Sequence, residues 1–582
     1  MKRKALRRTL AQRQNLHPIR IALLGGSTAN EFVDLLEILL LEAGFSPTFH
    51  QSEYGRYFVD AVHDSDALIR FKPDIVYVHT SVMNVERFPA VCASESEFEK
   101  LADLEFARFQ QIWSALERKL GCTVIQNNFE LPPCAILGNL DASAPGGRTR
   151  FIHALNERFA RAAAATPRLL LQDVCSLSAR LGLETWFDPT RWFSYKIVTS
   201  PQASYALATS LCAILRALYG RSRKVLVLDL DNTLWGGVIG DDGLDGIQIG
   251  RETALAEAYT AFQQYCLSLR DRGILLAVCS KNDEAIARQG FSHPDSVLSL
   301  EHISCFRASW DPKPDSIAAI ARELNLSPDS FVFVDDNPAE RALVAAQVEG
   351  IAVPEMGSDP ARFPAILEAG RYFEPVSLSH EDTARAGLYR QNAERAIFES
   401  SFADYGQYLD SLDMSAEIEP FTPVYLDRIT QLTNKTNQFN LTTRRYTLAE
   451  MHAVLADPNA IGLYGRLTDR FGDNGLVSVV LAHRRGSVLE IDLWLMSCRV
   501  LKRDMELAML DSLVERARLG ILTLEGRYVP TPKNRIVRDH YATLGFQLLH
   551  EHPDGSATYS LPVEGYKPRN THIRIPAQTH TG

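Results

Sequence analysis

The segment KVLVLDLDNTLWGG, residues 224–237, runs from an apolar strand straight into two aspartates two positions apart, Asp229 and Asp231. Side chains alternate along an extended chain, so both carboxylates face the same way at the end of the strand Val225–Leu230. Burying two like charges is costly unless a cation or a substrate compensates them. Two more runs, Ile274–Cys279 and Phe331–Val334, are almost wholly apolar and predict strands buried on both faces. Helix-period stretches at 252–272 and 315–325 separate them, the pattern of a parallel sheet in an α/β domain. Such sheets place ligands outside the C-terminal ends of their strands. Ser280 in VCSKN, Lys313 in WDPKPDS and Asp335-Asp336 in FVFVDDNPAER fall at those ends. A hydroxyl can hold a phosphate oxygen, a lysine can neutralise phosphate, and hard carboxylate oxygens suit Mg²⁺.

At 582 residues the chain exceeds one core and predicts three or four domains. The formal net charge of -10 argues against binding nucleic acid, whose phosphates need a positive field. Nine cysteines are scattered singly, with no C-x-x-C pair and no His/Cys cluster at zinc spacing, which fits a reducing compartment. No apolar run approaches a membrane span, so the chain reads as cytoplasmic and without a membrane partner. The first twenty residues are basic (Lys2, Arg3, Lys4, Arg7, Arg8, Arg13, Arg20) but lack the apolar centre of a signal peptide. They read as a transit peptide, a basic arm, or a short helix packed on the first domain.

The fold class is α/β and multidomain. A basic segment at 1–17 precedes a doubly wound domain at 18–222, with parallel strands expected at Ile19–Leu24, Asp74–His79, Thr123–Gln126 and Leu169–Asp173. The aspartate-bearing core follows at 223–372 and a charged helical connector at 373–415. An α+β domain covers 416–566, with strands near 463–467, 475–482, 488–495 and 521–528 and a helix at 503–519. The tail at 567–582 is polar and reads as disordered.

In order, LDLDNT, VCSKN, WDPKPDS and FVFVDDN resemble the four motifs of the haloacid dehalogenase (HAD) superfamily. The resemblance implies that Asp229 is the nucleophile forming an aspartyl-phosphate and that Asp231 is the general acid/base. It implies Mg²⁺ held by Asp229, Asp335 and the Asp231 carbonyl, with Asp336 in support, and a phosphoryl group held by Asn232, Ser280 and Lys313. Only 48 residues separate Asp231 from Ser280. They leave room for a short glycine-rich hairpin flap (235–250) and one long helix, not a large cap domain.

Over residues 5 to 560 the chain resembles the FkbH family of polyketide pathways, in ALLGGSTAN (22–30), VIQNNFELPP (124–133), WFDPTRW (186–192) and LDLDNTLWGGVIGDDG (228–243). The match continues in LTNKTNQFNLTTRRYT (432–447), DRFGDNGLVSV (469–479), MSCRVLKR (496–503) and PTPKNRIVRDHYATLGF (530–546). Such proteins combine a degenerate SGNH-hydrolase-like domain, a HAD Rossmannoid core and a GNAT-like acyltransferase domain. The resemblance implies that 1,3-bisphosphoglycerate supplies a glyceryl unit to an acyl carrier protein. A protein thiol captures the acyl group, the remaining phosphate ester is removed, and the group passes to the carrier's phosphopantetheine.

Cys498, in MSCR, matches the family's thiol, and Arg499, Lys502 and Arg503 beside it would favour a thiolate. The other reading of Cys498 is a small core residue. Two departures stand out. The GNAT pyrophosphate loop has Lys502 and Asp504 where glycines belong, which argues against acetyl-CoA but leaves Arg499, Lys502 and Arg503 as contacts for a phosphopantetheine phosphate. In the first domain Ser27 matches the SGNH serine, but Asp188-Pro189-Thr190-Arg191 lacks the histidine, so no esterase relay can form. His79 and Asn84 read as structural. Three functions compete: the glyceryltransferase/phosphatase, a stand-alone Mg²⁺-dependent phosphatase on a small ester, and a non-catalytic scaffold that binds carrier proteins.

Overall fold

The computed structural model describes residues 2–14, 16–378, 380–399, 401–436, 438–518, 520–531 and 533–576. The chain folds as two compact units, Met1–Arg216 and Ala217–Gly582.

The first unit is built on a parallel sheet of β1 (His17–Gly25), β2 (Phe45–Gln51), β3 (Ile75–His79), β4 (Thr123–Asn127) and β5 (Leu169–Gln172), in the order β2-β1-β3-β4-β5. The sequence reading missed β2. Its segment FSPTFHQ is half exposed and carries Pro47, which only an edge strand tolerates, so it lacks the apolar run of a central strand. The helix Glu95–Leu120 opens with a Ser94/Glu97 capping box and closes at Gly121, whose φ of 61° is left-handed. It buries Phe98, Phe109 and Trp113 on one face. The basic N-terminus is the helix Lys2–Ala11, with Arg7 bonded to Glu37 at 2.9 Å.

In the second unit a four-stranded parallel sheet comprises β6 (Val225–Leu228), β7 (Leu275–Ser280), β8 (Ile303–Ala308) and β9 (Phe331–Val334), ordered β8-β7-β6-β9. Edge strand β8 is only partly buried, with Cys305 and Ala308 its buried residues, and was not foreseen. Strand β6 ends before Asp229, two residues earlier than its apolar pattern suggests. The chain turns there: Thr233 and Leu234 both donate to the Leu230 carbonyl, and Asn232 is left-handed at φ 54°. The hairpin expected at 235–250 is instead a loop closed by one antiparallel bridge, Gly236 with Gln248, around the one-turn helix Ile239–Asp242. Trp235, Ile239, Ile247 and Ile249 are buried and pin it to the core. The long helix that follows is Ala254–Asp271.

Helices His380–Thr383, Arg385–Glu399 and Tyr405–Ser411 lead into a second sheet. Its strands are β10 (Met414–Pro420), β11 (Ala460–Asp469), β12 (Gly472–Arg485), β13 (Val488–Met496), β14 (Thr523–Tyr528), β15 (Gln547–Glu551), β16 (Ala557–Pro562) and β17 (Ile573–Arg574). Their order is β15-β16-β14-β13-β12-β11-β10-β17. Neighbours are antiparallel except β13/β14 and β10/β17. Strands β13 and β14 pair only from Val488–Ile491 against Thr523–Gly526, so the last turns of β13 lose that partner. Cys498 follows β13 directly, ahead of the helix Met505–Ala517. The tail expected to be disordered contributes β17, which pairs Ile573 with Met414; residues 577–582 of that tail lie outside the described ones.

Candidate functional site

Register sets the phosphoryl site. Leu228 of β6 pairs with Val278 of β7 and Val334 of β9, so Asp229, Ser280 and Asp335 emerge at one end of the sheet. Lys313, the first residue of the helix Lys313–Glu323, reaches in from the side. Its Nζ lies 2.9 Å from Asp229 Oδ1 and 2.5 Å from Asp335 Oδ2, with all three side chains buried. Ser280 hydrogen-bonds Asp229. Asp336 joins them: one carboxylate oxygen from each of Asp229, Asp335 and Asp336 lies within 4.8 Å of the others. Three carboxylates around one ammonium leave a buried negative excess, which is the environment a divalent cation relieves. Arg341 donates to the carbonyls of Asp335 and Asp336 at 2.9 and 2.7 Å and steadies the turn that presents them.

Asp231 stands apart from that cluster. Its Oδ1 accepts from Trp235 Nε1 at 2.9 Å and from the Ile239 N–H at 3.1 Å, and its Oδ2 accepts from Asn282 Nδ2 at 3.0 Å. The carboxylate is thus aimed at the flap rather than at the acidic triad and is not one of the clustered metal-ligand candidates. Asn232 accepts from the Gly237 N–H at 3.0 Å, so its side chain shapes the flap rather than pointing freely at a phosphate. Burial raises Asp229, Asp231, Asp335 and Asp336 above the ordinary carboxylate range; for Asp335 and Asp336 a neighbouring carboxylate adds to it. Burial opposes the charge on Lys313, but Asp229 and Asp335 outweigh it and hold its pKa above the ordinary lysine value. At the rim the Ser309 N–H bonds the Ser280 carbonyl at 3.1 Å, and the neighbouring Trp310 is 76% exposed.

Cys498 lies elsewhere, half-buried in a cavity of about 680 Å³ that Asn325, Tyr389, Asn392, Lys502 and His540 also line. Its carbonyl accepts from Asn325 Nδ2 at 3.2 Å, and Tyr389 Oη is 3.8 Å from its sulfur. The cations expected around it divide. Arg503 is buried and spent on Asp469 at 2.9 Å, Asn392 at 2.9 Å and the Arg499 carbonyl at 2.7 Å, which removes it as a pantetheine contact. Arg499 bonds Ser497 Oγ at 3.1 Å and lines the cavity, as does the exposed Lys502. Lys502 and Asp504 have φ of 62° and 59°, so the loop keeps a glycine-like path while carrying side chains. Two residues were not singled out from sequence. Burial pushes Lys224, just before β6, down to about 8, and the Cys498 sulfur is the largest influence acting the other way. His540 sits between Phe439 and Trp494 with Nε2 unpartnered, and burial lowers it to about 3, so the imidazole is neutral. No local motif announces either; only packing brings them near the cysteine.

In the first unit Ser27 is buried, and Asn84 Nδ2 bonds the Gly26 carbonyl at 2.8 Å. Arg191, where a relay histidine would stand, is ion-paired with Glu31, and Asp188 merely caps the helix Pro189–Tyr195. Burial lowers His79 to about 4, and it stacks on Phe32. Among the described residues no acid–base relay to Ser27 forms.

A family model for haloacid dehalogenase-like hydrolases matches residues 238–348. The N-terminal part of the protein BF1531 from Bacteroides fragilis, containing a phosphatase domain and complexed with Mg, is 30% identical. That match covers 65% of this chain and 99% of the other at a TM-score of 0.60. The chain belongs to the haloacid dehalogenase-like hydrolases. Its phosphatase domain holds an acidic cluster that fits Mg²⁺. Weaker likenesses are to the Escherichia coli ribosomal-protein-S18-alanine N-acetyltransferase (11% identity, 27% of this chain, 99% of that, TM-score 0.21). The GNAT domain of S. lividans PAT is similar at 16% identity over 25% of this chain and 90% of its own, with a TM-score of 0.22. Among curated proteins there is no match. No described helix is long and apolar enough to cross a membrane.

Proposed function

We propose that this protein dephosphorylates a phosphoglyceryl group derived from 1,3-bisphosphoglycerate and loads the glyceryl unit, through Cys498, onto the phosphopantetheine of an acyl carrier protein. The observation that carries the phosphatase half is the buried Lys313 ammonium between Asp229 and Asp335, at the strand ends. Asp229 attacks phosphorus. Asp231, raised by burial, gives its proton to the departing ester oxygen and then takes one from the water that splits the aspartyl-phosphate. Lys313 and Ser280 hold the phosphoryl oxygens. A divalent cation on Asp229, Asp335, Asp336 and the Asp231 carbonyl would offset the charge of the phosphoryl group.

The transferase half rests on the FkbH resemblance and on the cavity around Cys498. Lys224, whose charge interacts with the Cys498 sulfur, and the exposed Lys502 on the cavity wall place basic side chains near it. The C-terminal sheet, with its parallel β13/β14 pair parting beyond Ile491, is read as the acyltransferase-like domain. A second reading, a stand-alone phosphatase on a small ester, draws on the completeness of the phosphoryl site without Cys498. Intact mass spectrometry after mixing the protein with Mg²⁺, 1,3-bisphosphoglycerate and a phosphopantetheinylated carrier separates the two. A glyceryl adduct on the carrier is the expected outcome; phosphate release with no adduct on either protein would leave only the phosphatase.

A further inference from the structure

Resting on the glyceryltransferase reading, we infer that the phosphate ester is detached from Cys498 when Asp229 attacks it. The two sites occupy opposite ends of one sheet. Asp229 follows β6, whereas Lys224, whose charge interacts with Cys498, precedes it, and the five residue steps from one to the other span about 16 Å. The helix Lys313–Glu323 gives an independent measure. Lys313 at its start touches Asp229, and Asn325 just beyond its end holds the Cys498 carbonyl, about 18 Å along the helix axis. Cys498 also packs beside the core cluster of Val225, Leu275, Ile317, Phe331 and Tyr389, so its position is set by the sheet itself rather than by a free loop. A three-carbon acyl group on the sulfur spans only a fraction of that distance.

The chemistry divides accordingly. At one end the Cys498 sulfur forms a C–S bond to the acyl carbon of an acyl phosphate, and inorganic phosphate leaves with the electrons of the broken C–O bond. The carrier thiol then forms its own C–S bond to that carbon, and the Cys498 sulfur departs with the carrier's thiol proton. At the other end Asp229 displaces the ester oxygen, which takes the Asp231 proton. Water splits the aspartyl-phosphate and returns a proton to Asp231. The substrate of the second end is a phosphate monoester of a three-carbon acyl group, either free or on the carrier thiol.

The test uses the wild-type protein with Mg²⁺. It is loaded with 1,3-bisphosphoglycerate, freed of small molecules by rapid desalting, and followed by intact mass spectrometry before and after carrier is added. A phosphoglyceryl adduct on Cys498 that keeps its phosphate until carrier arrives supports the inference and identifies the carrier thioester as the substrate. An adduct that is glyceryl from the earliest time supports it, with the free bisphosphate as the substrate, when Cys498→Ala still releases the ester phosphate of 1,3-bisphosphoglycerate at the wild-type rate; loss of that release in Cys498→Ala overturns it. Loss of phosphate from the desalted phosphoglyceryl enzyme, without carrier, overturns it. Phosphate release with no thioester on any thiol overturns the glyceryltransferase reading, and this inference with it.

Discussion

The two ends of the four-stranded sheet solve opposite problems. At the C-terminal end, carboxylates and one lysine are gathered within hydrogen-bond reach, buried, and held by backbone groups of a short loop. At the N-terminal end, a single thiol lies in a cavity whose walls come from the sheet, the connector helix and the C-terminal domain. The first site is local to one α/β core and concentrates charge. The second is assembled from distant segments and leaves space. Phosphoryl transfer needs fixed charges around a compact group, whereas the thioester exchange proposed for Cys498 would need room for an arm to enter.

The sharpest way to break this comparison is Asp229→Asn. Phosphate release should fall at least about a thousandfold, because the proposed nucleophile is removed. Release that persists within tenfold would unseat Asp229. Asp231→Asn should cost about a hundredfold to a thousandfold on an alkyl phosphate ester. The loss should be much smaller on a substrate whose leaving group needs no proton, and equal losses on both would remove the acid role.

Metal and pH probe the charge of the first end. Burial raises Asp229, Asp335 and Asp336, so the folded chain without metal retains protons that the unfolded chain releases. The sign follows: their contribution to stability is largest at acid pH and declines as pH rises from the ordinary carboxylate range through the raised values. A cation that binds only the deprotonated cluster reverses this. The rise in Tm on adding Mg²⁺ should therefore be larger at about pH 7.5 than at about pH 5, by a few degrees. A shift that does not depend on pH would argue against the cluster as the metal site.

The smallest effect belongs to the second end. Lys502→Ala should weaken carrier turnover about three- to tenfold, mainly in KM, and leave the melting temperature unchanged, since the side chain is exposed. Arg503→Ala should instead destabilise the fold by about 3–5 kcal/mol, because Asp469 would lose one of its two buried guanidinium partners. The opposite pattern would restore Arg503 as a phosphate contact.

The legibility of the two ends differs for the same reason. The Asp229 end was readable because each of its groups sits at the tip of an apolar strand or at a helix start, and parallel register then brings those tips together. Flap geometry was not readable: glycines and aspartates at 235–250 permit a hairpin, but packing of Trp235 and Ile239 selects a bridged loop. Strands β2, β8, β10, β15, β16 and β17 escaped because short or half-exposed strands carry no continuous apolar signal. Arg503 was misread because a positive side chain beside a cysteine looks available until Asp469, 34 positions away, is found to hold it.

Alternation and apolar run length, both local properties, determined on their own the central strands of the α/β cores and the residues at their tips. Only the tertiary structure decided which cations remain near Cys498, that Asp231 turns from the acidic triad to the flap, and that Cys498 and Asp229 lie at opposite ends of one sheet. Those outcomes depend on contacts between residues far apart in the chain, where burial and charge pairing choose partners that no local pattern encodes.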